Sequence, residues 1–131
     1  MRPFTIDPSW VADRDNILGG VRKELDAYFA GKLRRFKSPL AFEGTPFQHR
    51  VWTELCRIPY GETISYLELA KRIGNPKAVR AVGLANGANP IAIIVPCHRV
   101  IGANGSLTGY GGGLPIKRAL LSLERGEMTL L

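Results

Sequence analysis

The sequence contains little cysteine and no long apolar run. Cys56 and Cys97 are the only cysteines among 131 residues, which is too few for a disulfide framework, and no CxxC spacing indicates zinc. No segment approaches the ~18 uninterrupted apolar residues of a membrane span, and the first residues lack the apolar core of a signal peptide. We therefore expect a cytoplasmic protein with free thiols, no membrane association, no metal and no cofactor.

Acidic residues are absent from Leu69 to Leu123. The same stretch carries seven basic residues: Lys71, Arg72, Lys77, Arg80, Arg99, Lys117 and Arg118. The net charge of +7 is thus unevenly placed, and a field of one sign attracts a polyanion such as nucleic acid. A solvated basic face that improves solubility is the alternative.

The chain divides near residue 44. Residues 1–44 are predicted to form a short N-terminal section, with one helix that ends at Gly31 and a basic linker after it. The apolar stripe of that helix consists of Val21, Leu25, Tyr28 and Phe29. Residues 45–131 are then long enough for one compact domain with its own core.

The second section opens with a helix after Gly44-Thr45-Pro46, which Pro59 and Gly61 stop. Phe47, Val51, Trp52, Leu55 and Ile58 form its apolar stripe. Cys56 lies beside that stripe and is predicted to be a packed thiol. His49 is predicted to be a surface residue, because no other ligand stands at metal spacing around it.

Two short helices should follow. Residues 65–68 fit a capping box that starts the first helix, and Gly74 should end it. Asn75-Pro76 supplies an N-cap and an N1 proline for a second helix that runs to about Asn86-Gly87. Two helices joined by a tight turn make a helix-turn-helix candidate. The second helix is rich in Ala and Gly and carries Lys77 and Arg80, so it could approach a phosphate backbone closely.

The last third reads as strands, loops and one helix. The apolar run Ile91–Val95 is predicted to be a strand that Pro96 ends, and Val100-Ile101 a second short strand. A hairpin turn at 103–106, a glycine-rich loop at 109–113 and a helix from Pro115 to near Gly126 follow. The helix should bury Ile116, Leu120, Leu121 and Leu123. Together the elements predict an α+β fold, mainly helical and winged-helix-like.

Cys97 stands at the end of the predicted strand and next to His98. A thiolate attacks far faster than a thiol, and a pKa near ~8.5 leaves a thiol mostly protonated at neutral pH. Neighbouring side chains on an extended chain point to opposite faces, so a relay through water is favoured over a direct Cys97–His98 hydrogen bond. Glu124 is the first carboxylate on the C-terminal side and is predicted to orient His98. The alternative is a buried structural cysteine.

Pro96-Cys97-His98-Arg99-Val100 resembles the signature of the O6-alkylguanine-DNA alkyltransferases. The resemblance runs from about Thr45 through Gly126. It also includes Gly44-Thr45-Pro46-Phe47-Gln48, the stretch from Ile58 to Tyr66, the stretch from Asn75 to Gly83, and Gly109-Tyr110-Gly111-Gly112-Gly113.

By this resemblance, Cys97 accepts an alkyl group from O6 of guanine in double-stranded DNA and becomes a thioether, so that each molecule acts once. We expect the protein to be a monomer. His98 and Glu124 form the activating relay, and Tyr66 donates to the O6 that leaves. The resemblance implies that Arg80 fills the gap left by a flipped base and that Asn89 ties the recognition helix to the active-site turn. Lys77 and Arg99 are further expected DNA contacts.

The expected substrate pocket consists of Val95, Pro96, Tyr110 and Gly111. The family commonly has serine where this chain has Gly111, which puts one substrate hydrogen bond in doubt. The section before Thr45 is also shorter than the usual N-terminal domain, and every residue matched to a function lies after it.

Three other functions stay open at this point. An alkyltransferase-like damage sensor flips lesions without repairing them, but such relatives typically have tryptophan in place of the motif cysteine. A winged-helix regulator would carry Cys97 incidentally. A cysteine hydrolase would turn over repeatedly and would need an oxyanion site, which the sequence does not reveal.

Overall fold

The computed structural model describes residues 17–37, 43–102 and 113–127. These ranges contain α1 (Ile17–Phe29), α2 (Pro46–Leu55), β1 (Ile64–Ser65), α3 (Tyr66–Arg72), α4 (Val79–Gly87), a 3₁₀ turn (Cys97–Arg99), β2 (Val100–Ile101) and α5 (Leu114–Glu124). No helix within them is both long and apolar enough to cross a membrane. The mainly helical α+β fold is as predicted. The predicted hairpin turn, and the glycine-rich loop except Gly113, lie outside the described residues.

Helices α1 and α2 follow the local signals in their sequences. The chain leaves α1 through Gly31, whose φ of 75° lies in the left-handed region. Thr45 caps α2 in a reciprocal capping box with Gln48, and Val51, Trp52 and Leu55 are buried as predicted.

The prediction for Cys56 was wrong. This residue follows the last helical residue, and its side chain is exposed instead of packed beside the stripe of α2. His49 is half-buried, and its ring lies edge-on to Trp52 with the centroids 5.7 Å apart.

The two-helix motif forms, with one shifted boundary. Ser65 caps α3 by accepting a hydrogen bond from the Glu68 backbone N–H, and Gly74 ends the helix at a φ of 82°. The predicted start of α4 at Asn75-Pro76 was wrong. The Asn75 carbonyl accepts from Ala78 N at 3.0 Å, and this turn delays the helix to Val79, with Ala78 at the N-cap position.

The prediction of a strand at 91–95 was also wrong. These five residues form a tight turn in which Val95 N donates to the Ile91 carbonyl at 3.0 Å and Ile93 has a φ of 76°. β2 does form at Val100–Ile101, and it pairs in parallel with β1, which the sequence did not predict. Hydrophobicity alone did not determine the backbone conformation of this segment, in which only Val95 is buried.

Helix α5 buries the predicted stripe except at its first position, where Lys117 takes the place of Ile116. Leu120, Leu121 and Leu123 are buried as expected, whereas Ile116 is 44% exposed and Lys117 is fully buried. The stripe can include a lysine because Lys117 Nζ donates to the Val100 carbonyl at 2.6 Å.

The core has two parts. The larger part packs α2, α3 and α4 around Val95, Cys97 and Val100. The smaller joins Tyr28 of α1 to Leu120 and Leu123 of α5. Because His98 and Arg99 follow Cys97 while Glu124 follows Leu123, these polar residues lie where the two parts meet.

Candidate active site

Cys97 begins a 3₁₀ turn, and not the extended segment that the sequence suggested. Cys97 N donates to the Val95 carbonyl at 2.8 Å, and Arg99 N donates to the Pro96 carbonyl at 3.0 Å. A 3₁₀ turn has three residues per turn, so Cys97, His98 and Arg99 project in three directions. Cys97 and His98 are therefore not on an extended chain, although their side chains still diverge.

Asn89 holds the turn that precedes Cys97. Its Nδ2 donates to the Val95 carbonyl at 2.7 Å, and its Oδ1 accepts from Ile91 N at 3.0 Å. Asn89 follows α4 directly, so these bonds connect the end of the second helix of the motif to the cysteine turn. They also hold Ile93 in a left-handed conformation that β-branched residues rarely adopt.

A buried polar network surrounds Glu124. Its Oε2 contacts His98 Nε2 at 2.6 Å and accepts from Tyr28 Oη at 2.5 Å and Arg99 Nη2 at 3.0 Å. Its Oε1 accepts from Arg99 Nε at 2.8 Å and from Gly61 N at 3.2 Å. The side chains of His98 and Glu124 are 0% and 1% exposed. The predicted His98–Glu124 contact is thus present in the structure.

The charges of this network follow from its contacts. Burial opposes ionisation of Glu124, but the hydrogen bonds from His98 and Arg99 outweigh it and lower the pKa of the carboxyl to about 2. Burial lowers the pKa of His98, against the opposing effect of Glu124. At neutral pH the network therefore contains an ionised carboxylate and a neutral imidazole.

This charge state determines the tautomer of His98. An ionised carboxylate can only accept, so the imidazole proton lies on Nε2 and the lone pair on Nδ1. Nδ1 is buried, and none of the described residues hydrogen-bonds to it. The imidazole thus has a free basic nitrogen on the side away from Glu124, which suits a proton acceptor.

Cys97 is 6% exposed and lies in the larger core. Burial raises the pKa of its thiol, while a hydrogen bond from Asn89 and the charge of Lys117 lower it in part. At rest the thiol is protonated, so attack by its sulfur requires a base.

Arg99 does not have the DNA-contacting position that the sequence predicted. Its guanidinium is bidentate to Glu124, its Nη1 donates to the Ile58 carbonyl at 2.7 Å, and its side chain is 7% exposed. The arginine is held inside the protein as the counter-charge of the carboxylate.

Sequence reasoning missed Tyr28, which belongs to α1 and is fully buried. The sequence pattern places it in the apolar stripe of that helix. The signal that could have found it is the residue type, because a buried tyrosine needs a hydrogen-bond partner for its hydroxyl and a phenylalanine does not.

The remaining predicted site residues lie in three places. Tyr66 is the first residue of α3 and is half-buried, with Lys117 Nζ 6.0 Å from its ring centroid. Val95 and Pro96 are buried. Tyr110 and Gly111 lie outside the described residues. The described residues contain no group of three or more His, Cys, Asp or Glu side chains that could hold a metal ion.

Helix α4 exposes a thin face. Arg80 is exposed, as is Lys77 just before the helix, and Leu84 is 72% exposed. Among the described residues, no heavy atom lies within 4 Å of where a Cβ on Gly87 would stand. The small size of Gly87 therefore answers no packing requirement within the described protein.

The fold and the site together define a helix-turn-helix protein with a buried cysteine next to a histidine–carboxylate network. The family described as 6-O-methylguanine DNA methyltransferase, DNA binding domain, matches residues 46–126. The methylated-DNA–protein-cysteine methyltransferase of Methanosarcina mazei is 59% identical over 127 residues, which are 97% of this chain and 80% of the relative. That of Mycobacterium tuberculosis (strain H37Rv) is 61% identical over 126 residues, covering 94% and 76%.

Solved structures of DNA-bound proteins are also similar to this chain. The crystal structure of M. tuberculosis OGT in complex with DNA superposes with a TM-score of 0.83 at 63% identity, over 85% of this chain and 69% of that one. S. pombe Atl1 in complex with damaged DNA containing O6-carboxymethylguanine gives 0.55 at 31% identity, over 63% and 79%. The chain belongs to the 6-O-methylguanine DNA methyltransferase family. Its enzyme class is that of the methylated-DNA–protein-cysteine methyltransferases, which act in DNA repair by direct alkyl transfer.

Proposed function

We propose that Cys97 is the residue that takes the alkyl group from O6 of guanine in double-stranded DNA. The bond between the alkyl carbon and O6 breaks, and a bond between that carbon and Sγ forms, leaving guanine and S-alkylcysteine. The observation that carries this assignment is the state of His98, the residue next to Cys97. Glu124 binds Nε2 of its ring, and Nδ1 has no hydrogen-bond partner among the described residues.

Proton transfer accompanies the displacement. The Cys97 proton passes through a water molecule to His98 Nδ1, and the ionised Glu124 stabilises the imidazolium that forms. The Asn89 amide and the Lys117 ammonium favour the thiolate as it develops. Tyr66, at the start of α3, donates a proton to the departing guanine, which leaves as a neutral base. The phenolate then regains a proton from the His98 imidazolium through water.

The guanine must leave the base stack before its O6 substituent can reach a buried sulfur. Extrusion costs a few kcal/mol, and in this proposal contacts from the motif offset that cost. Lys77 binds phosphate, while the thin face of α4 lies close to the duplex and Arg80 enters the gap. Two observations support these roles. The stretch from Leu69 to Leu123 is basic and contains no acidic residue, and the side chains of Lys77 and Arg80 are exposed.

The reaction consumes the protein. A thioether is not a leaving group in water at neutral pH, so Cys97 is not regenerated and each molecule acts once. The protein acts as a monomer in this proposal. We place the protein in the cytoplasm, where the reducing conditions keep Cys97 as a thiol. We also propose that residues 45–131 form the alkyltransferase domain and residues 1–44 a shortened N-terminal section.

Intact-mass measurement after exposure to duplex DNA containing O6-methylguanine tests the proposal. The wild-type protein should gain the mass of one methyl group, and Cys97→Ser should gain none. Cys56→Ser is the matched control, because Cys56 is the exposed thiol and would be modified first by non-specific alkylation. No gain in the wild type, or a gain that disappears in Cys56→Ser, refutes the assignment. More than one demethylated guanine per protein would indicate a catalytic hydrolase instead.

A further inference from the structure

Tyr28 connects the N-terminal section to the proposed relay. It lies on α1, outside residues 46–126 that match the family. Its hydroxyl donates to Glu124 Oε2 at 2.5 Å and lies 3.4 Å from His98 Nε2. Tyr28 and His98 therefore contact the same carboxylate oxygen.

We propose that Tyr28 is a positioning residue of the alkyl-transfer relay, whose hydroxyl moderates how strongly Glu124 holds the proton of His98. The inference rests on the proposed function of Cys97 and His98. It adds a residue of the first helix to a site whose other members all lie after residue 60.

The proposal follows from how Oε2 is shared. A hydrogen bond to a carboxylate oxygen disperses its negative charge, and a less negative oxygen stabilises an imidazolium less. The Tyr28 hydroxyl thus keeps His98 less basic than a carboxylate without that donor would. It also occupies a lone pair of Oε2, so the Nε2–H of His98 has a defined direction to the same atom.

The groups around His98 act in opposite directions. Glu124 of α5 favours the imidazolium, whereas Arg99 of the 3₁₀ turn and Lys117 of α5 disfavour it. Tyr28 of α1 stays a neutral donor, because burial and its bond to Glu124 raise the pKa of its phenol. A thiolate at Cys97 would favour the imidazolium again. The basicity of His98 is therefore a balance in which one hydrogen bond matters.

Packing does not require the hydroxyl of Tyr28. The ring packs among aromatic side chains, with centroids 5.6 Å from Phe29, 5.5 Å from Phe36 and 6.1 Å from Tyr60. A phenylalanine would keep these contacts. Tyr28→Phe therefore removes the bond to Glu124 and leaves the aromatic cluster in place.

The test is the pH profile of single-turnover methyl transfer from labelled duplex DNA. In Tyr28→Phe, a more basic His98 must lose its proton before it can accept one from Cys97. The acidic limb should thus move up by at most about one pH unit. A hydrogen bond shifts the pKa of the charged group that accepts it by about one unit or more, and only part of the change at Glu124 reaches His98. Tyr60→Phe is the control, because its hydroxyl bonds only weakly to the Leu123 carbonyl, at 3.4 Å. Its limb should not move.

A second variant keeps the proposal testable if Tyr28→Phe does not fold. Site-specific replacement of Tyr28 by 3-fluorotyrosine retains the hydroxyl and makes it a stronger donor, so the acidic limb should move to lower pH. A purely structural hydroxyl would scale the rate equally at every pH and leave the limb in place, which overturns the inference. Absence of methyl transfer in the wild type overturns the proposed function instead, so the two failures are distinguishable.

Discussion

The Glu124 carboxylate acts only as a hydrogen-bond acceptor, and this makes Glu124→Gln an informative change. Five hydrogen bonds reach the carboxylate, from Tyr28, His98, Arg99 twice, and the Gly61 backbone. A glutamine has the same shape, but its amide NH₂ is itself a donor and must face one of these donors. The substitution also removes the counter-charge of Arg99, whose side chain is only 7% exposed.

Breaking a buried ion pair by removing one partner costs about 3–5 kcal/mol, because the remaining charge is left buried and unpaired. We expect Glu124→Gln to lower the free energy of unfolding by that amount, a large part of the ~5–15 kcal/mol typical of a domain. Methyl transfer should also slow by ~10²-fold or more in the molecules that remain folded, because the imidazolium loses its stabilising carboxylate.

Urea unfolding at neutral pH measures the stability term, and single-turnover transfer on folded protein measures the rate. Glu68→Gln is the control. It breaks the exposed i,i+4 pair with Arg72 and should cost only about 0.3–0.5 kcal/mol. A loss below about 1 kcal/mol in Glu124→Gln, or a loss equal to that of the control, would refute the view that the carboxylate is the centre of a buried network.

Two further predictions concern DNA and pH. Arg80→Ala should slow methyl transfer from duplex DNA far more than transfer from the free alkylated base, since only the duplex requires extrusion; equal losses would exclude that role. Stability should fall on acidification in two steps. Below pH 6.5 the unfolded chain protonates His98 while the buried imidazole, with its lowered pKa, stays neutral. Below about 4.5 the unfolded chain protonates Glu124, whose pKa is about 2 when folded. Urea midpoints between pH 7 and 3 measure both steps, and a flat profile would contradict them.

Several features could be predicted because their causes are local. The caps at Thr45 and Ser65 and the glycines that follow α1 and α3 act within one or two turns of the chain, so residue type and spacing indicate them. The pairing of His98 with Glu124 was predicted for a different reason. Few carboxylates exist in this part of the chain, and Glu124 is the first one after the long acid-free stretch.

The errors have causes that hydrophobic periodicity and residue type do not encode. The run Ile91–Val95 is as apolar as a buried strand, yet the side chain of Asn89 replaces the ladder with a turn. Lys117 is buried in place of Ile116 because the Val100 carbonyl offers its ammonium a partner. Arg99 was predicted to contact DNA because it is basic and belongs to the Cys97 motif. Its guanidinium is instead paired with Glu124, 25 residues later in the chain.

The sequence by itself determined the helical framework, the DNA-binding motif and the cysteine with its histidine, because short-range spacing and residue chemistry encode these. Only the tertiary structure decided which groups share the carboxylate of Glu124, which tautomer His98 adopts, and that a tyrosine from the first helix takes part. Those properties depend on burial and on distances between residues as many as 96 positions apart. Chain contacts of that range leave no periodic pattern in a single sequence.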